Sequence, residues 1–156
     1  MSGSSDTAAL AAEIASAFEA VAPPAPPVAT GAGPIQDDVE QALAGKRAEE
    51  LTPQDSRAVR LDLWSLTPAA WHYYAPALLG MFLADPGADE LDGLGEGIFA
   101  TLVPPQDADL RERFDERMAL LDDRRRSALK DFVCAFSEQQ PELAGADAAR
   151  AHWGCA

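Results

Sequence analysis

Apolar residues recur along this chain with the period of a helix and almost nowhere with that of a strand. Leu10, Ile14, Phe18 and Val21 place one amphipathic helix over residues 6–22, ended by Pro23. A Pro- and Gly-rich segment follows, expected as a linker that tethers this helix without fixing it. Val39 and Leu43 then share a face of a short helix over residues 37–44, with Asp37 and Glu40 at capping-box spacing and Gly45 as its stop. Thr52-Pro53 opens another short helix that runs to Val59. The next residues, with Leu61, Leu63 and Trp64, alternate apolar and polar but find no partner strand, so an extended connector is expected.

The pattern culminates in residues 61–84, which hold two of the three tryptophans, both tyrosines and one of the two histidines. Thr67 caps and Pro68 starts a helix over residues 68–84, and Leu66 with Trp71 has the spacing of a hydrophobic staple. Trp71, Tyr74, Ala75, Leu78 and Phe82 form one stripe, while Ala77, Leu79, Gly80 and Leu83 make the opposite side apolar too. A helix apolar all round is a buried one. Pro76 costs an unrelieved helix interior about 3 kcal/mol, so a kink at residues 73–75, or two shorter helices meeting there, is expected.

Beyond the Asp85-Pro86-Gly87 turn, Leu91, Leu94, Ile98, Phe99 and Leu102 predict a helix over residues 89–103, weakened by Gly93, Gly95 and Gly97. Leu110, Phe114, Met118 and Leu121 mark the next helix, and Leu129, Phe132, Val133 and Phe136 the last strong one. Residues after Pro141 read as a loosely held tail with a helical turn at 146–151. The fold expected is all-α: an irregular bundle of five to six helices around the kinked central one. Its parts are a tethered N-terminal helix and linker (1–34), a single helical domain (35–140) and the tail (141–156).

Charge changes the picture more than composition does. The formal net charge is −14, which repels nucleic-acid phosphates and anionic membranes and suits a basic protein partner. No Lys or Arg falls between Arg60 and Arg111, where Asp62, Asp85, Asp89, Glu90, Asp92 and Glu96 form a candidate acidic face. Residues 107–131, by contrast, mix seven basic with eight acidic residues, and pairs such as Asp109 with Arg113 and Asp122 with Arg126 predict a solvated, self-neutralising surface.

Candidate chemistry is sparse. The acids of residues 85–96 do not follow the alternation of a calcium loop, because Pro86, Gly87 and Ala88 succeed Asp85. His72 and His152 have no paired cysteines beside them for a transition metal. No nucleophile elbow or phosphate-cradling glycine loop is present, so no catalytic residue and no cofactor is expected. Cys134 is expected to pack as a small hydrophobe and Cys155 to be exposed, with no disulfide between them. The N-terminal residues lack the pattern of a secretory signal, and a cytoplasmic protein without a membrane span is expected.

Residues 49–138 resemble a family of short bacterial proteins whose function is uncharacterised. The features that carry the likeness are the Leu66-Thr67-Pro68 helix start with Trp71, Tyr73 and Tyr74, a helix ending in Leu102-Val103-Pro104, and the closing run Arg126-Ser127-Ala128-Leu129-Lys130-Asp131-Phe132. The resemblance implies a small helical bacterial cytosolic fold and brings no catalytic residues with it. The function expected is therefore a non-enzymatic acidic protein acting through protein–protein interaction, of which an immunity or antitoxin-like role against a basic partner is one version. The rival expectation is a small-molecule binder or minor enzyme with a pocket at Pro76 lined by Trp71, His72, Tyr73 and Tyr74; a helix-mediated homo-oligomer stays open.

Overall fold

The computed structural model of the chain describes residues 2–31, 33–60 and 62–155, the first four of them by backbone alone. Leu61 of the expected connector lies outside the described residues. Eight α-helices form among those described, in the order α1 (Ser2–Phe18), α2 (Pro34–Leu43), α3 (Pro53–Val59), α4 (Pro68–Ala84), α5 (Leu94–Thr101), α6 (Ala108–Ala119), α7 (Asp123–Gln139) and α8 (Ala146–Trp153). No strand is found among the described residues, so the all-α class is right and the expected five to six helices are too few. Short helices make up the difference, because each end finds a cap or a tertiary partner.

Side-chain caps account for four of the eight starts. Thr52 Oγ1 accepts from Asp55 N while Asp55 accepts in return from Thr52 N, the reciprocal box that lets a seven-residue helix stand. Thr67 Oγ1 accepts from Ala70 N at 3.2 Å, Asp107 from the amides of Asp109 and Leu110, and Asp122 from Arg125 N at 2.8 Å. Gly93, with φ 80°, takes the left-handed turn ahead of α5. The helix expected over residues 89–103 is thereby cut into a 3-10 turn, Asp89–Leu91, and α5.

α4 is the centre, with Trp71, Tyr74, Ala75, Pro76, Leu78, Leu79 and Leu83 all buried. It packs against α1, α5, α6 and the 3-10 turn Ala48–Glu50. It runs unbroken through Pro76, so the expected division into two shorter helices does not occur. α1 docks on α4 and α7 through Ile14, Ala17 and Phe18.

Two expectations about loose segments are corrected. The Pro-rich linker is strapped to the body: Val28 is fully buried, the Glu40 carboxylate accepts from Val28 N (2.9 Å) and Ala29 N (3.0 Å), Thr30 N donates to Ser65 O, and Thr67 N to Val28 O. A β-bridge between Ala29 and Leu66 results, but the connector is not extended as expected, because Leu63–Ser65 within it form a 3-10 turn. The tail is likewise held. α8 packs on α7, Ala149 and Trp153 are buried, and Trp153 Nε1 donates to Leu102 O at 2.8 Å. Cys134 and Cys155, expected as separate thiols, are joined in a disulfide because α8 turns the chain end back onto α7.

The basic stretch also differs from its expectation. Arg111 pairs with Asp115, but Arg113, Arg117 and Arg126 turn away from the acids to backbone carbonyls. Arg117 is fully buried, reaches Leu63, Trp64 and Leu66 carbonyls through Nη2, and lies 4.8 Å from the Trp64 ring centre. Burial, then the neighbouring Arg113, pushes its pKa down to about 10, still a cation at neutral pH. It knits α6 to the turn Leu63–Ser65 that precedes α4.

Candidate functional site: an acid-rimmed cleft

The C-terminal half of α4 ends beside α5, α7 and the first turns of α1, and a cleft of about 640 Å³ opens among them. Its apolar lining comes from Leu10 of α1, Phe82 and Leu83 of α4, and Phe132 and Phe136 of α7. The rings are already organised: Phe132 stacks on Phe136 with centres 5.1 Å apart, and Phe82 meets Phe136 edge-on at 6.2 Å. Four carboxylates border this lining, Asp6, Asp92, Glu96 and Glu138, and among the described residues no Lys, Arg or His shares it. All four residues are exposed.

The cleft gathers only part of the expected acidic face. Asp92 and Glu96 line it. Asp85 caps the end of α4, and Asp89 and Glu90 are exposed on the 3-10 turn, near the opening in sequence but outside its lining. Asp62 lies elsewhere, accepting from Gln36 Nε2 at 3.0 Å. In exchange the fold supplies Asp6 and Glu138, which the sequence did not single out. Asp6 sits one turn before Leu10 on the stripe of α1, a signal open to sequence reading; nothing in sequence ties Glu138 to Glu96.

The four aromatic candidates around Pro76 do not share a pocket. Trp71 is buried and donates from Nε1 to Thr101 Oγ1 at 3.1 Å, while Thr101 donates onward to Ile98 O. Tyr74 is buried with its hydroxyl between the carbonyls of Leu43 (2.8 Å) and Lys46 (2.7 Å), and burial pushes its pKa up to about 12. His72 meets Phe18 edge-on at 5.5 Å, its Nε2 buried without a hydrogen-bond partner, and burial followed by Arg125 lowers its pKa. Only Tyr73 borders an opening, of about 370 Å³, together with Phe18, Val21 and Pro76. Its hydroxyl accepts from Ala48 N at 2.7 Å.

No protein-family model, curated protein or solved structure matches the chain. The resemblance over residues 49–138 therefore rests on its quoted residues alone, and the site has to be read from its chemistry. Among the described residues no three His, Cys, Asp or Glu side chains gather as a metal site would need. None of the helices among them is long and apolar enough to cross a membrane.

Proposed function

We propose that this chain is a non-enzymatic interaction protein whose cleft receives a basic segment of a partner protein. The observation that carries the reading is the composition of the cleft wall, an aromatic floor under four carboxylates drawn from α1, the α4–α5 loop with α5, and α7. Carboxylates around such a floor speed the approach of a cation and reject anions. The floor adds affinity by burying apolar surface, which charge alone does not do. The overall charge of −14 extends the same attraction over the rest of the surface. Charge reversal at Glu96 and Glu138 together, compared with wild type for binding a labelled Lys/Arg-rich peptide at low and high salt, tests the reading. A loss of on the order of tenfold or more at low salt, shrinking as salt rises, is expected. Equal binding by the reversed variant removes the cleft from the interaction.

The opening beside Pro76 supports a second reading, a small apolar ligand seated against Phe18, Val21, Pro23 and Pro76. Glu19, Arg47, Glu49 and Tyr73 share its lining, but Arg47 and Glu49 pair with each other, and His72, Trp71 and Tyr74 stand outside it.

A further inference from the structure

The cleft carries more information about its occupant than charge. Resting on the interaction reading above, we infer that the occupant is a short cationic segment bearing one large apolar anchor, and that Gly95 keeps the anchor's seat open. Gly95 is buried in the first turn of α5, directly against the Phe82 ring. A Cβ built there falls 2.6 Å from Phe82 Cζ and 2.7 Å from Cε2, closer than such atoms approach. The tip of the Phe82 ring therefore occupies the space that a side chain at residue 95 would need. The floor made with Phe132 and Phe136 depends on that position.

The geometry selects against two simpler occupants. A purely cationic chain would leave the half-buried Phe82 and Leu10 facing hydrated groups, with nothing to cover them. A purely apolar one would desolvate Asp92, Glu96, Asp6 and Glu138 without a counter-charge, at a cost no contact offsets. A segment with Lys or Arg on both sides of a Trp, Phe or Leu satisfies both sets of groups at once. The cleft's volume of about 640 Å³ has room for a Trp side chain together with its flanking stems.

The test uses the full chain and three synthetic peptides of equal length: Lys/Arg-rich with a central Trp, the same peptide with Ser in place of Trp, and a neutral peptide keeping Trp. Affinities are read by titration for wild type and for Gly95→Ala, whose folding is checked by circular dichroism and melting. Wild type is expected to bind the Trp-bearing basic peptide on the order of tenfold tighter than the Ser peptide. Gly95→Ala, which displaces the Phe82 ring, is expected to bring the Trp peptide down to the level of the Ser peptide and leave the latter unchanged. Gly80→Ala, at a helical position with open space around it, is the control and should change neither. Equal affinity of the two basic peptides for wild type overturns the anchor while leaving the charge-based reading standing. An unchanged preference for Trp in folded Gly95→Ala overturns the role of Gly95. Binding of neither basic peptide ends both this inference and the reading beneath it.

Discussion

Removing the bond between Cys134 and Cys155 separates what the tail owes to packing from what it owes to a covalent tie. The two cysteines are 21 residues apart in sequence, so the bond closes a loop that includes all of α8 and the end of α7. In the chain-entropy account, a loop of this length restricts the unfolded chain by about 3 kcal/mol. For a domain of this size that corresponds to a fall in Tm on the order of 10 °C. The native state should change much less. Trp153 stays bonded to Leu102 O, and Arg150 Nη1 still donates to the Cys134 carbonyl (3.1 Å) and to Ser137 Oγ (2.9 Å). Guanidinium denaturation with and without a thiol reductant, and of Cys155→Ser, reads the difference directly. The expected pattern is a lower midpoint, a steeper dependence on denaturant because the unfolded chain opens further, and unchanged tryptophan emission before the transition. A stability difference below about 1 kcal/mol, or labelling of both sulfurs by a thiol reagent in the unfolded, unreduced chain, refutes the reasoning.

Three further outcomes follow from the packing. Arg117→Ala empties a fully buried site and withdraws the donor that serves the Leu63, Trp64 and Leu66 carbonyls, so a loss of about 3 kcal/mol or more is expected in chemical denaturation; under 1 kcal/mol contradicts the account. Glu40→Ala leaves the amides of Val28 and Ala29 without their acceptor, which should cost about 2 kcal/mol and speed hydrogen exchange at those two amides well before those of α4. His72 binds a proton more weakly in the folded chain than in the unfolded one, through burial first and Arg125 second, with Asp122 opposing. Its contribution is therefore neutral above the unfolded value of about 6.5 and destabilising as pH falls through the window below it. Stability should drop on acidification through that window, and His72→Leu should flatten the part of the slope that His72 supplies; His152, shifted in the same direction, keeps the remainder.

What the sequence determined by itself was local. The Thr67-Pro68 and Thr52-Pro53 starts act within three residues, so these caps were legible before any tertiary contact was known. The all-round apolar character of residues 68–84 was enough to make that helix the centre, because nothing but burial suits such a surface. The tertiary structure decided everything that joins distant residues. Asp6 and Glu138 meet Asp92 and Glu96 only because α1 and α7 pack beside the end of α4. Cys134 reaches Cys155 only because α8 folds back, and Arg117 leaves the charged surface only because the turn at Leu63–Ser65 offers carbonyls that outcompete nearby carboxylates. Pro-rich residues 23–31 read as loose for the same reason: their order comes from Glu40 and Ser65, partners that no local pattern in those residues announces.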